Sequence, residues 1–141
     1  MPINKEIIEK LLMELRDYIY DIENMNFSQQ ELVQNRDIQH LLNHRLHMAV
    51  EICIDIAMHI VSALELPGRE SAVDVIGLLG SHKIISAKLS AQFQQAPKLL
   101  NLLIHGYAKI DYSFLFRDYR KDINDIKHFA SEIKNYLDKQ K

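Results

Sequence analysis

No glycine or proline occurs in the chain from Ser28 until Pro67, and these two residues are the ones that most often interrupt a helix. The stretch opens with Ser28-Gln-Gln-Glu31, a capping box in which the serine and the glutamate each bond a free amide of the first turn. We therefore predict one unbroken helix from Ser28 to about Leu64, roughly 50 Å long at 1.5 Å rise per residue. A helix of that length should form the backbone of the fold.

The second half of this predicted helix is apolar on almost every side, apart from one polar stripe. The stripe recurs at steps of three and four residues and consists of His44, His47, Glu51, Asp55, His59 and Ser62. A helix that is apolar on most sides lies at the centre of a bundle or is shared with a second subunit. Because a buried unpaired carboxylate is costly, we interpret the stripe as a hydrogen-bonded seam in an interface or in the core.

Histidines and carboxylates four residues apart can also chelate a metal, as in helical zinc and di-iron sites. No Glu-x-x-His or His-x-x-x-His pair recurs on a second predicted helix. We therefore expect no metal and no cofactor, and a small di-metal helical protein remains the weaker alternative. Stoichiometric metal in the purified protein would be needed to support it.

Composition predicts one all-α domain over residues 1–141. Of the 141 residues, 48% are apolar and only 4 are glycine and 3 proline, which argues against a sandwich, a barrel or a disordered chain. The net charge of −2 excludes binding of nucleic acid through a global positive field. An RNA-binding surface would have to be local, and Lys98 and Lys109 are candidates for it.

The expected location is the cytoplasm. The single cysteine, Cys53, cannot form an internal disulfide, which is consistent with a reducing compartment, and its apolar surroundings favour a core position. The amino terminus does not resemble a signal peptide, and no apolar run nears the length needed to cross a bilayer. We expect a soluble protein with no membrane contact.

Apolar residues at helical spacing predict the remaining elements. A first helix spans Asn4 to about Asn24, and a last helix spans 112–137 after Asp111 as its N-cap. Between them we predict a short helix over 71–79, limited by its glycines, a second short helix near Ser86, and one that opens at Ala96-Pro97. The overall prediction is an all-α, up-and-down bundle of about five helices with one long central helix.

The candidate chemistry lies in the stretch from Asn101 to Asp111. Positions three, four and seven apart share a face of a helix, so the polar residues Lys98, Asn101 and His105 should line one side. Leu99, Leu102 and Leu103 should cover the sides that pack. His105 can transfer protons near neutral pH, and Asn101 can donate hydrogen bonds to phosphate oxygens.

Gly106 follows the histidine and should end this helix. Glycine accepts the left-handed conformation that terminates many helices, which would let the chain turn and bring His105 and Tyr107 near one another. Tyr107 could then act as a further donor to phosphate. The alternative is structural: His105 would interact with the helix dipole, and Tyr107 would lie at the edge of the core.

These residues also carry a family resemblance. His105-Gly-Tyr107 after an apolar helix, followed by Ile-Asp and a last helix, resembles the Arg-x4-His-x-Tyr motif of HepT-like HEPN proteins, the ribonuclease toxins of HepT/MntA toxin–antitoxin pairs. The stretch Arg45 to Ile60 is similar to the long second helix of that family, and the resemblance covers about the whole chain. The motif arginine, five residues before the histidine, falls on Leu100.

The resemblance implies a HEPN-like bundle and a metal-independent endoribonuclease that acts as a homodimer on RNA. It implies catalytic roles for Asn101, His105 and Tyr107, with the polar stripe facing a dimer cleft. It further implies a cognate minimal nucleotidyltransferase as antitoxin, which would adenylylate Tyr107. Since Leu100 supplies no charge, the alternative is a catalytically disarmed subunit that binds a nucleotidyltransferase or a nucleotide without cleaving RNA.

Overall fold

The computed structural model describes residues 3–106 and 109–140, and within these ranges it contains no β-strand. Seven α-helices follow one another along the chain: α1 Lys5–Glu23, α2 Gln29–Gln34, α3 Arg36–Ala63, α4 Ala72–Ser81, α5 Ala87–Phe93, α6 Ala96–His105 and α7 Tyr112–Lys139. The predicted all-α bundle with one long central helix is confirmed. The segments are more numerous than the expected five because the predicted long helix is divided in two and each of the three predicted short helices forms.

The prediction of one unbroken helix from Ser28 to Leu64 is wrong at Asn35. The Ser28 capping box is present as predicted, but α2 ends after six residues, and Asn35 has an extended backbone with φ −104° and ψ 112°. The Asn35 side-chain oxygen accepts hydrogen bonds from the backbone amides of Asp37 and Ile38. An asparagine that caps a new helix competes with continuation of the old one, so neither glycine nor proline is needed for the break.

Helix α3 is the centre of the bundle and packs against α1, α2, α4, α6 and α7. Its 28 residues span about 42 Å, and its inner side is fully buried. Cys53 lies in this core as predicted, and burial raises the pKa of its thiol. At one end of the core the rings of Phe93 and Phe129 stack with centroids 4.8 Å apart.

The expectation that no apolar run nears membrane-spanning length is wrong for α3. By length and composition alone, this helix could cross a bilayer. Half of its most apolar window is buried inside the bundle, however, and the core helix of a soluble protein has the same properties. This segment therefore gives only weak support for a membrane span.

Helix α4 is not limited by its glycines, and this part of the prediction is also wrong. It continues through Gly77 and Gly80 to Ser81. A Cβ atom at Gly80 would lie 2.4 Å from the Cβ and Oγ of Ser90, whose hydroxyl donates a hydrogen bond to the Ile76 carbonyl. The glycine at 80 therefore permits the close approach of α4 and α5.

Candidate functional site

The outer face of α6 carries the polar residues that the sequence singled out. Lys98, Asn101 and His105 are all exposed, at the helical steps of three and four that put them on one side. Along the axis, Asn101 lies one turn from His105 and Lys98 lies two turns away, about 10 Å. We call this row the α6 outer face.

The inner side of α6 holds the helix on α3. Leu103 is 2% exposed, and Leu99 and Leu100 pack partly buried against the core. Leu102 was expected to pack as well, but 43% of its surface is exposed, because it faces the side of the helix that borders open space. Leu100, at the position of the expected arginine, therefore contributes to packing and offers no charge to the outer face.

Gly106 ends α6, but not in the predicted left-handed conformation. Its φ is −108° and its amide donates a 2.9 Å hydrogen bond to the Leu102 carbonyl. Glycine suits the position for a different reason: a Cβ would lie 2.9 Å from Leu102 Cδ1 and 3.1 Å from the Leu102 carbonyl oxygen. The predicted closeness of His105 and Tyr107 cannot be compared, since Tyr107 lies outside the described residues.

The chain after the site is tied down on both sides. Lys109 is exposed, and its amide donates a 2.7 Å hydrogen bond to the Gly106 carbonyl. Asp111 is the N-cap of α7, as predicted, and its carboxylate accepts from the amides of Ser113 and Phe114. These bonds hold the backbone of Lys109 close to the end of α6 and determine where α7 begins.

The polar stripe of α3 was interpreted as a seam in an interface or in the core, and it does not form a seam in the core of this chain. Glu51, Asp55 and His59 are exposed in this chain, because α3 turns this side away from its neighbours in the bundle. The interface interpretation of the stripe stays a prediction. Among residues 3–106 and 109–140, no group of three or more histidines, cysteines or acids is placed to hold a metal ion.

The sequence reasoning named His44 and His47 but missed Asn43, which joins them in a polar cluster near the start of α7. Asn43 is only 8% exposed, and its Oδ1 lies 3.4 Å from His47 Nδ1. Burial lowers the pKa of His47, with His44 adding to the effect, and burial raises the pKa of Tyr112, which faces the Asn43 amide. Asn43 interrupts the apolar period of α3, which is the signal that could have identified it.

A groove beside α6 was also missed. Helices α6 and α7 each pack on α3, and between them lies an open space of about 570 Å³ with Val50 of α3 at its base. Leu99, Leu102 and Leu103 form one wall, and the start of α7 forms the other. No local sequence pattern predicts it, since it depends on two helices that each pack on a third and hardly pack on one another.

Comparison with known families settles the relationship of this chain. The family described as "Ribonuclease HepT-like" matches residues 8–133. The chain belongs to this HepT-like family. The resemblance stated from Arg45–Ile60 and from His105 with Tyr107 is thus confirmed at the level of the family.

Individual relatives agree over nearly the whole length. The mRNA nuclease HepT of Shewanella oneidensis is 24% identical to this HepT-like chain over 129 residues, which cover 92% of this chain and 97% of the relative. The Shewanella oneidensis HEPN toxin, solved tri-AMPylated in complex with an MNT antitoxin, has a TM-score of 0.83 at 24% identity and covers 92% of this chain and 97% of its own.

A second solved neighbour shows how widely the fold is shared. YutE of Bacillus subtilis, described as a cytosolic protein of unknown function, has a TM-score of 0.82 at 17% identity. The match covers 96% of this chain and 91% of YutE. At these identities the structural neighbours establish the HEPN fold of the HepT-like chain, while the roles of its side chains need separate arguments.

Proposed function

We propose that this HepT-like protein is a metal-independent endoribonuclease toxin of the cytoplasm, folded as a single domain over residues 1–141. It acts as a homodimer and is neutralised by a cognate nucleotidyltransferase. The observation that carries the proposal is the exposure of Asn101 and His105 on one face of α6 in a chain of this family. The nuclease named among its relatives supports the same activity.

Cleavage of RNA without a metal requires a group that removes the 2′-hydroxyl proton, one that protonates the leaving oxygen, and donors for the charge on phosphorus. His105 is assigned the proton transfer, because it is exposed at the end of α6 with solvent access to a substrate. Asn101, one turn away, is assigned the role of donating a hydrogen bond to a phosphate oxygen. Tyr107, by its place in the motif, is assigned the role of a second hydrogen-bond donor, and Lys98 and Lys109 bind the RNA backbone.

The charge that an arginine would supply must come from elsewhere, because Leu100 packs against the core. Lys98 is the cation of the outer face, but helical side chains lean toward the amino terminus, so it points away from His105 within its own chain. A second subunit that faces this row could bring its Lys98 near the first subunit's His105. A composite site in a homodimer therefore compensates for Leu100.

The dimer is supported by exposed apolar surface on the two helices concerned. Met58 of α3 and Ile104 of α6 are each 40% exposed, and the polar stripe with Glu51 and Asp55 lies open beside Met58. A homodimer would cover these side chains and give the stripe its partners. Light scattering at micromolar concentration tests this, and a monomer would remove the composite site.

Regulation is proposed at Tyr107. Adenylylation of its hydroxyl by the partner nucleotidyltransferase would add bulk and negative charge at the site and repel an RNA phosphate. Support comes from the tri-AMPylated relative, which was solved with an MNT antitoxin. Mass spectrometry of the protein coexpressed with a nucleotidyltransferase of the MNT type tests the proposal, with Tyr107→Phe as the control that should stay unmodified.

The deciding experiment is RNA cleavage in EDTA by the wild type, His105→Ala and Leu100→Arg, each checked for an unchanged melting curve. Cleavage by the wild type that disappears with His105→Ala supports the proposed toxin. If the wild type is silent and Leu100→Arg is active, the second candidate takes over: a disarmed HEPN subunit that binds a nucleotidyltransferase or nucleotide. The uncharged Leu100 is the observation in favour of that candidate.

A further inference from the structure

The space between α6 and α7 has an apolar surface that the bundle does not fill. Leu99, Leu103 and Phe93 form its inner part, and Leu102 and Phe114 stand at its edge with 43% and 53% of their surfaces exposed. The Arg117 guanidinium lies 4.4 Å from the centroid of the Phe114 ring, which orients the ring beside the opening. We call this space the α6–α7 groove.

The rim of the α6–α7 groove is acidic. Along α7 it presents Asp118, Asp122 and Asp125, which recur at steps of four and three and so follow one side of the helix. The lining also contains two lysines, Lys121 on α7 and Lys109 before it, and the nearby pair of Arg117 with Asp118 is well exposed and therefore weak. The rim thus favours a cation and repels phosphate, in contrast to the outer face of α6.

The carboxylates of the rim repel one another, and the pKa of Asp122 reflects this repulsion. Burial, together with the charges of Asp125 and Asp118, raises the pKa of Asp122 to about 6 against the opposing effect of Lys121. A cation placed among these three carboxylates would relieve their repulsion. The groove therefore offers a favourable place for a lysine or arginine that also brings apolar atoms.

The length of the α6–α7 groove matches a short helix. The wall supplied by α7 runs from Asp111 to Ile126, about 22 Å along the helix axis, or four turns. We propose that the α6–α7 groove docks an amphipathic α-helix of a partner protein, with apolar side chains against Leu102 and Phe114 and lysines or arginines against the acidic rim. Such helix-in-groove binding takes its energy from the apolar face and its register from the flanking charges.

This docking site overlaps the proposed RNA site only at Lys109. It uses a different side of α6 from Asn101 and His105, and its acidic rim disfavours RNA as the occupant. A partner helix in the groove would still touch Leu102, one turn before Gly106, and Lys109 just beyond it. The proposal does not depend on whether the chain cleaves RNA.

The test uses a fluorescent synthetic peptide of leucine and lysine, about four helical turns long, with leucines at helical period. Its controls are a leucine–glutamate peptide of the same pattern and a leucine–lysine peptide of scrambled order. We expect the wild-type protein to bind the first peptide at least about tenfold more tightly than either control, by fluorescence anisotropy.

Matched variants locate the binding. Asp118→Asn with Asp125→Asn should weaken binding of the peptide about tenfold. Phe114→Ala should weaken binding by a similar factor, and because Phe114 is exposed, its loss should not disturb the fold. Glu9→Gln with Glu14→Gln changes the net charge equally on exposed positions of α1 and should leave binding unchanged. All variants are compared by melting curve, and Phe114→Ala decides alone if the double variant at the rim does not fold.

Three outcomes would overturn the proposal. One is equal loss of binding with the α1 variant, which would mean nonspecific attraction to acidic surface. Another is displacement of the peptide by RNA even from Lys109→Ala, which would make the groove itself part of the nucleic-acid site. The third is loss of self-association in Phe114→Ala by light scattering, which would make a second copy of this chain the occupant.

Discussion

Two sides of the same helix, α6, differ in polarity and in the charge of the ligand that each would bind. The outer face presents Lys98, Asn101 and His105 to solvent, while the groove side presents Leu99 and Leu102 opposite the carboxylates of α7. One side suits an anion and the other a cation with apolar substituents. A ten-residue helix can therefore serve two ligands, provided that a buried residue such as Leu103 fixes its rotation on α3.

The largest effect should come from His105→Ala on the outer face. Loss of the proton-transferring group should reduce RNA cleavage at least about a hundredfold while groove binding of the leucine–lysine peptide is retained. The matched control is His82→Ala, another exposed histidine that follows α4, which should leave cleavage unchanged. Equal loss of both activities in His105→Ala would contradict the separation of the two sides.

Gly80→Ala should act on the groove side through packing. The new Cβ would lie 2.4 Å from Ser90, so α5 must shift, at a cost of about 1–3 kcal/mol in the free energy of unfolding. Because Phe93 of α5 lines the groove, peptide binding should fall more than RNA cleavage. Gly77→Ala is the control: its Cβ meets only the end of the partly exposed Gln94 side chain, which holds a long 3.3 Å hydrogen bond to the Val73 carbonyl, and stability should change by less than about 1 kcal/mol.

Lys98→Ala should reduce cleavage by about tenfold, or ~1.4 kcal/mol, because it removes the proposed cation of the outer face. Lys98→Arg should retain most of the activity. Lys121→Ala removes a charge from the rim of the groove instead and should not slow cleavage. Initial rates at two salt concentrations measure the effect, and an unchanged rate in Lys98→Ala would exclude its part in the composite site.

The smallest effect concerns Asp122 and the pH dependence of stability. Its folded pKa of about 6 lies above the ordinary value of 3.8, so the folded state binds the proton more tightly. The resulting stabilisation is complete below about pH 4 and is lost as the pH rises through 6. Asp122→Asn should therefore stabilise the protein above pH 6, by about 1 kcal/mol after allowance for solvent screening.

Thermal melts at pH 4 and pH 7.5 measure this difference. Asp122→Asn should raise the melting temperature by about 3 °C at the higher pH and have little effect at the lower. Asp17→Asn, an exposed carboxylate on α1, serves as the control and should change neither melt. A destabilised Asp122→Asn at pH 7.5 would mean that the ionised carboxylate has a favourable partner.

Local patterns were enough for much of the fold. The capping box at Ser28, the N-cap at Asp111 and the burial of Cys53 follow from neighbours in sequence or from an apolar period, and all three are present. The failures arose where two local signals compete or where a contact is distant. Asn35 ends a helix that contains neither glycine nor proline. Gly80 lies within α4, where the absence of a side chain leaves room for Ser90 of α5.

In the candidate site, too, local spacing predicted some features and tertiary contacts decided the others. Helical spacing alone placed Lys98, Asn101 and His105 on one face, since that needs only 3.6 residues per turn. Spacing could not show that Gly106 avoids the left-handed conformation, or that Leu100 packs against the core at the motif position. Those outcomes depend on neighbouring atoms.

By itself, the sequence determined that this is a helical bundle of the HepT-like kind with its polar candidates on one face of one helix. These properties are encoded in short-range periodicity and in motif residues. The tertiary structure alone decided that α6 and α7 both pack on α3 with an open groove between them, and that the pKa of Asp122 at the rim of this groove is raised. The physical reason is that cavities and the burial of charges depend on distances between segments that are remote along the chain.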